Sequence, residues 1–151
     1  MRRRVRLGVG MSVAALLVAP SLVSAGDPPA ARNLTVTVRD AQLIPVGFEG
    51  MEPAAPGDML VKDSPVYDAG DDRRIGHSPI SCVFVDPRSA PRCNADVVLE
   101  RGTIALQGVL DQPRFVFAIV GGTGAYANAK GEARARLLGT TDRVRVTFRL
   151  R

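Results

Sequence analysis

The sequence predicts an all-β domain, built as a sandwich or a barrel. Short runs of alternating apolar and polar residues recur along the chain, and clusters of glycine, proline and aspartate separate them. Alternation is the period of a half-buried strand, and short strands at regular spacing are typical of sandwiches and barrels. No stretch has a convincing helical pattern: the best candidate, 125–136, is interrupted by Gly131 and then alternates with the period of a strand.

Eight strands are predicted in chain order. The first, 33–39, alternates Leu34, Val36 and Val38 with polar residues. A long loop rich in proline and glycine is predicted at 45–57. The other seven strands are predicted at 58–68, 74–85, 93–100, 103–110, 114–120, 131–139 and 142–150.

The start of the chain predicts a secretory signal peptide, 1–25. Four arginines lie within the first six residues, an apolar run follows, and Val23-Ser24-Ala25 supplies the small residues of a cleavage site. A membrane anchor is disfavoured because glycine, serine and proline interrupt a run that is already short for a span. We expect cleavage after Ala25, export by the general or the twin-arginine route, a flexible tail at 26–32 and one domain at 33–151.

The charge of the chain argues against a nucleic-acid partner. Twenty Lys and Arg face fifteen Asp and Glu, and the leader's arginines account for four of the five net positive charges. The exported part is therefore close to neutral, whereas nucleic-acid binding needs a dense basic face. The arginines near the end are spaced by two residues, which predicts the solvent face of two strands. They are Arg134, Arg136, Arg143, Arg145, Arg149 and Arg151.

Cys82 and Cys93, the two cysteines of the chain, predict a disulfide. Each lies in a strand-like run, and a turn-rich segment joins the two runs, so a hairpin brings the thiols opposite each other. A metal or redox pair is disfavoured because there is no C-x-x-C and His77 is the single histidine. His77 is interpreted as structural or exposed, and no metal site is predicted.

The segment FAIVGGTGAYANAKGEA, 117–133, carries the strongest motif. Gly122, Gly124 and Ala127 match the spacing of a dinucleotide-binding loop, but that loop needs a helix and a βαβ unit after it. Two strands follow here instead. The glycines are therefore interpreted as a tight turn between strands.

This segment resembles the signature of the dirigent and allene oxide cyclase-like barrel family. The shared features are an apolar strand, Gly121-Gly122-Thr123-Gly124, an aromatic residue at Tyr126 and a closing Ala129-Lys130-Gly131, where the family has arginine in place of Lys130. The segment 57–76 resembles an early strand of the same family. The resemblance implies an eight-stranded antiparallel barrel with an apolar cavity, often assembled as a homotrimer.

The resemblance also suggests site residues. Asp63 corresponds to an acidic residue on the second strand, and sharing a face with Met59 and Val61 would place it inside the barrel as an acid. Lys130 is the second catalytic candidate, and Tyr67 and Tyr126 are candidate hydrogen-bond donors to a ligand. Gly124 stands where some dirigent proteins have an aspartate, which argues against radical coupling.

The sequence leaves two functions open. The first is an exported dirigent-like barrel that binds a small hydrophobic ligand, with no turnover or only stereo-guiding of a reaction. The second is a cofactor-free cyclase or isomerase of a secondary-metabolite pathway. Export favours the first, because most biosynthetic cyclases act on intracellular intermediates. Neither function calls for a cofactor, and no stable membrane insertion is expected once the leader is removed.

Overall fold

A computed structural model describes residues 32–48, 54–111, 115–139 and 142–151. The predicted signal peptide and nearly all of the predicted tail lie outside these residues. One short 3-10 helix, Gly124–Tyr126, is present among the described residues, and every other regular element is a strand. The strands are β1 (Arg32–Val38), β2 (Ile44–Val46), β3 (Met59–Tyr67), β4 (Arg74–Val83), β5 (Arg92–Leu99), β6 (Gly102–Val109), β7 (Phe115–Gly122), β8 (Gly131–Leu137) and β9 (Val144–Leu150). None of the described segments forms a helix that could span a bilayer.

Eight of the strands close into an antiparallel barrel. Their order is β1-β9-β8-β7-β6-β5-β4-β3, and pairing of β1 with β3 completes the circle. The fold class predicted from the sequence, an eight-stranded antiparallel barrel, is therefore confirmed. Closure pairs the strand edges that an open sheet would leave exposed.

β2 corrects the prediction of an uninterrupted loop at 45–57. β1 pairs with β3 only at Val66 and Tyr67, so the opening residues of β3 have no partner from β1. After β1 the chain returns to this edge, where Ile44–Val46 pairs with Met59, Leu60 and Val61. The extra strand thus satisfies backbone groups that β1 does not reach.

The barrel interior divides into two halves. In one half, buried apolar side chains pack against one another: Val36, Val66, Ile104, Ile119, Ala133 and Phe148. In the other half lie the first residues of β3, β7 and β9 and the last residues of β4, β6 and β8. We call these the packed half and the cavity half.

A disulfide joins β4 to β5. Cys82 and Cys93 are direct partners in the antiparallel register, and both are almost fully buried. The bond Cys82–Cys93 is formed, which confirms the predicted pairing. It closes the hairpin that contains the turn-rich segment between these strands.

The glycine segment forms a tight turn at the end of the packed half of the barrel. The Thr123 amide donates to the Thr103 carbonyl, and the Ala125 amide donates to the Arg101 carbonyl. A Cβ on Gly122 would lie 2.4 Å from the Tyr126 carbonyl oxygen. A Cβ on Gly124 would lie 2.4 Å from the Arg101 carbonyl oxygen, so the turn docks against the β5–β6 connection at a distance that a larger residue would prevent, as the turn interpretation predicts.

Candidate functional site

A cavity of about 430 Å³ occupies the cavity half. Its lining is apolar except for two serines. The lining residues are Val38, Ala41, Leu43, Leu60, Ser64, Ser78, Ile80, Ala95, Val97, Leu106, Leu110, Phe115, Phe117, Ala135, Leu137, Val144 and Val146. A volume of this size is within the range of sites that hold drug-sized ligands.

Two short side chains contribute to the open space in this half. At the inward positions of β5 and β8 the cavity half has Ala95 and Ala135, which are short side chains. The packed half has Ile104, Ile119 and Phe148 at inward positions, and their larger side chains meet across the barrel. An eight-stranded barrel is just wide enough to be filled by such side chains or to hold one small ligand. In this barrel, side chains fill the packed half, and the cavity half has space for a small ligand.

Ser64 and Ser78 are the polar groups of the lining. They are direct partners between β3 and β4 and both are buried. The Ser64 hydroxyl donates to the Asp40 carbonyl oxygen at 3.0 Å. Each hydroxyl can still accept a hydrogen bond, so the pair can orient an oxygen or nitrogen of a ligand against an otherwise apolar wall.

Lys62 is a charged residue at an inward strand position beside this cavity. It lies between Leu60 and Ser64 on the same face of β3, and its partner on β4 is Ile80, which lines the cavity. Its ammonium is 2.8 Å from the Asp40 carboxylate. Asp40 directly precedes Ala41, a lining residue outside the strands, so the ion pair lies at the rim.

The structure corrects the predicted orientation of Asp63. Its side chain is 59% exposed, and it contacts His77 on the outer wall, with Nδ1 2.9 Å from Oδ1. The prediction is wrong because β3 has two faces of similar character, and the face that turns inward carries Leu60 and Ser64. The packing of β3 against β4 selects that face: Leu60 is the partner of the buried Cys82. His77 lies partly exposed, as the sequence predicts.

Neither predicted tyrosine lines the cavity. Tyr67 is partly buried beneath the Arg39 guanidinium, which lies 3.9 Å from the ring centroid. Tyr126 packs at the packed end, within the 3-10 helix. Lys130 is exposed at the same end, and its carbonyl accepts a hydrogen bond from the Arg151 amide. Catalytic and ligand-binding roles for these residues and Asp63 remain predictions, made for positions outside the lining.

The cavity residues that the sequence analysis missed are Lys62, Ser64 and Ser78. One signal was present: Ser64 alternates with Val66, a buried residue, and pairs with Ser78 only when β3 and β4 are aligned as a hairpin. Using Cys82 as an inward marker gives Ser78 and Ile80 the same face. Counting back across the hairpin then turns Ser64 inward.

The pKa values of Asp71 and Arg39 are shifted by the contact between these two side chains. Asp71, in the β3–β4 turn, accepts hydrogen bonds from Arg39 and Arg143. The Arg39 hydrogen bond is the main cause that holds the pKa of Asp71 below its usual value, and it also raises the pKa of Arg39. These contacts tie the turn to the end of β1 and the start of β9, so we interpret them as structural.

A second depression, of about 660 Å³, lies on the outer wall. Its lining includes the outward residues Val61, Asp63 and Asp96, and also Lys62 and Ala95 from inward strand positions. A molecule there would be covered on one side by a single sheet surface. The interior cavity surrounds a molecule with opposite walls, which is why we assign the candidate site to the interior. In the part of the chain that the structure describes, no three His, Cys, Asp or Glu side chains are grouped so as to hold a metal ion.

Comparison with known proteins gives structural matches. No protein-family model and no curated protein matches this chain. Among solved structures, a pyocyanin demethylase is 27% identical with a TM-score of 0.67, and the match covers 80% of this chain and 100% of that one. The pterocarpan synthase dirigent protein PsPTS1 is 18% identical with a TM-score of 0.60, covering 81% of this chain and 94% of that one.

An exo-specific intermolecular Diels-Alderase is also similar in structure. It is 12% identical with a TM-score of 0.55, and the match covers 80% of this chain and 98% of that one. At this identity, and at that of the dirigent protein, the similarity shows the fold alone. The matches confirm the resemblance that the glycine segment indicates, because the barrel described above is the fold of these proteins.

Proposed function

Because this chain has the closed barrel of the dirigent-like proteins, we propose that it holds a small apolar molecule in the cavity half and guides or catalyses its reaction by confinement. The observation that carries the proposal is the cavity itself. It has about 430 Å³ of space, apolar walls and two buried serine hydroxyls. The walls of the barrel shield part of a bound molecule from water, and the cavity is open at its rim.

The chemistry of the lining favours reactions that need shape more than acid–base groups. Among the residues that the structure describes, none with a charged side chain lines the cavity. A fixed cavity restricts the conformers of a bound molecule and so supplies the orientation that an unassisted reaction lacks. The Ser78 hydroxyl can donate a hydrogen bond to one oxygen of the molecule, and the Ser64 hydroxyl, which donates to the Asp40 carbonyl, can accept one. Cyclisation, stereo-guided coupling and isomerisation all fit such a site.

The names of similar proteins support turnover over simple storage. A demethylase, a synthase and a Diels-Alderase share this barrel, and the demethylase aligns over its whole length with this chain. Each name describes a reaction on a small molecule. A cofactor-free cyclase or isomerase is the second candidate function, and it would use the same cavity. Binding without turnover is the outcome that a negative reaction test would favour.

Binding is tested with N-phenyl-1-naphthylamine, a neutral apolar dye whose fluorescence rises in a dry site. We expect one dye per chain. Ala95→Phe adds a ring inside the cavity and should weaken binding by at least about tenfold, since the ring takes the space of the ligand. Ala118→Phe adds the same ring at an exposed position on β7 and should leave binding unchanged. Equal binding by all three proteins would contradict the proposed site.

Turnover is tested with small-molecule extracts of the producing organism. The extract is incubated with the wild-type protein or with Ala95→Phe and then separated by liquid chromatography with mass detection. Cyclisation and isomerisation conserve mass, so we expect one peak to fall while another of the same mass rises, in the wild-type sample alone. Extracts that remain identical across both proteins, together with dye binding, would leave a ligand-holding barrel without turnover.

A further inference from the structure

Lys62 lies beside the cavity at an inward position of β3, and it also borders the depression on the outer wall. Both of its neighbours on the inward face of β3 line the cavity, and so does Ile80, its partner on β4. Only 17% of its side chain is exposed. Its apolar stem can thus lie along the wall while the ammonium reaches toward the rim.

The present partner of Lys62 is a carboxylate of the chain itself. The Asp40 side chain is 60% exposed, and its Oδ2 is 2.8 Å from the Lys62 ammonium. The Asp40 backbone is held separately, because the Ser64 hydroxyl donates to its carbonyl oxygen. The backbone of this rim segment therefore keeps an anchor when the carboxylate swings away.

An incoming anion can replace Asp40 at little cost. An ion pair between partly exposed groups contributes little to stability, and the released Asp40 carboxylate regains water because it is already mostly exposed. Lys62 is more deeply covered than Asp40, so it depends more on having a partner. A ligand with an anionic end supplies that partner, and a neutral ligand does not.

Resting on the proposed function, we infer that the cavity selects an apolar molecule with one anionic end, such as a carboxylate, sulfonate or phenolate. Lys62 binds the anion at the rim, and Asp40 is an internal counter-ion that the ligand displaces. The apolar body lies deeper, between Ala95, Val97 and Phe117. Lys62 is then a specificity-determining residue, since the described part of the chain places no charged residue in the cavity lining to offer a competing orientation.

The test compares two dyes that differ in one group. 1-Anilinonaphthalene-8-sulfonate is N-phenyl-1-naphthylamine with an added sulfonate. We expect Lys62→Met to weaken sulfonate binding by about tenfold and to change binding of the neutral dye by less than about twofold. Lys62→Arg keeps the charge and should retain most of the sulfonate affinity. Asp40→Asn removes the competing carboxylate and should strengthen sulfonate binding; asparagine also tolerates the positive φ of 52° at this position.

The controls separate this inference from the proposed function. Arg101→Met removes an exposed cation from the β5–β6 connection at the opposite end and should change neither affinity. Failure of the neutral dye to bind wild-type protein would contradict the proposed cavity function. If the neutral dye binds normally and neither Lys62→Met nor Asp40→Asn changes the affinity for the sulfonate dye, the inference about Lys62 is overturned while the proposed function stands. Circular dichroism confirms that each variant is folded.

Discussion

Two adjacent glycines at the end of β7 have opposite surroundings. A Cβ on Gly122 would lie 2.4 Å from the Tyr126 carbonyl oxygen and 2.5 Å from that of Thr103. A Cβ on Gly121 would meet nothing within 4 Å. The motif is therefore a set of unequal positions, and the close approach belongs to the second glycine of the pair.

We predict that Gly122→Ala lowers the free energy of unfolding by about 2–4 kcal/mol, because backbone must move to admit the methyl group. Gly121→Ala should change it by no more than about 0.5 kcal/mol. Urea unfolding of the two variants measures both values. Equal effects would contradict the close approach of Gly122 to the Tyr126 and Thr103 carbonyl oxygens.

Asp71 gives a pH-dependent prediction. Its pKa is lowered in the folded state, chiefly by the hydrogen bond from Arg39, so the ionised form stabilises the fold above the unfolded value near 3.8. This contribution is lost as the pH falls through the lower, folded-state pKa. Asp71→Asn should therefore melt below the wild type at pH 7, and the gap should close in strong acid.

Melting temperatures between pH 2 and pH 7 provide the measurement. The matched control is Asp96→Asn, which changes an exposed carboxylate on β5 and should follow the wild type at every pH. If the difference in melting temperature between Asp71→Asn and the wild type stayed constant down to the lowest pH, the destabilisation would not come from the contacts of Asp71 with the arginines.

Which face of a strand points into the barrel was harder to predict than the presence of the strand. In β3 the odd positions include Met59 and Val61, which made an inward Asp63 reasonable. The even positions face inward instead, and they include Lys62 and Ser64. A shift by one residue exchanges every side chain between the faces, so misjudging β3 removed these two residues from the prediction. Tertiary pairing decides between two such faces, and it is not local to the strand.

The β4–β5 hairpin is the element with a covalent constraint. The disulfide joins direct cross-strand partners eleven positions apart in the chain. Closing a loop of this size stabilises a protein by about 3 kcal/mol in the chain-entropy account. Four residues of this hairpin, Ser78, Ile80, Ala95 and Val97, line the cavity.

We predict that the variant Cys82→Ala/Cys93→Ala loses about 2–4 kcal/mol of unfolding free energy and also binds the neutral dye less tightly, because the hairpin forms part of the cavity wall. Urea unfolding and dye titration measure the two effects. The wild-type protein with an added reductant is the second form of the same test. Thiol titration first confirms two free cysteines in the reduced protein. A free energy of unfolding equal to that of the oxidised protein would then contradict a stabilising role of the disulfide.

Strands were predictable because most of them alternate cleanly between turns. Val116 to Val120 on β7 and Ala133 to Leu137 on β8 are examples in which sequence and structure agree closely. β2 was missed because it has three residues, contains Pro45 and has no alternation to detect. It exists because β3 has an edge that β1 does not cover, which is a property of the closed barrel.

At the scale of the whole molecule, stability and function occupy different halves of one barrel. Apolar side chains pack against one another in the packed half, and the cavity half keeps open space between apolar walls. Filling the cavity half would bury more apolar surface and stabilise the protein, at the expense of the ligand site. The composition of each half could not be predicted from the sequence, because it depends on register across all eight strands.

Export and assembly are proposals at the same scale. We propose that the mature chain begins at Gly26 and forms a homotrimer. Intact mass spectrometry of the protein from its native culture medium should give the mass of residues 26–151 less two hydrogens for the disulfide. Under native conditions the main species should have three times that mass. A chain that retains its first 25 residues, or a monomer at all concentrations, would contradict the corresponding proposal.

The measurement that tests the central claim most directly is methyl NMR of the protein titrated with N-phenyl-1-naphthylamine. The account predicts that methyl signals of Ala95, Val97 and Ala135 in the cavity half shift and saturate at one dye per chain. Signals of Val36 and Ala133 in the packed half should stay in place. Shifts confined to Val61 and Val120 would move the binding site to the outer wall and contradict a ligand-holding interior.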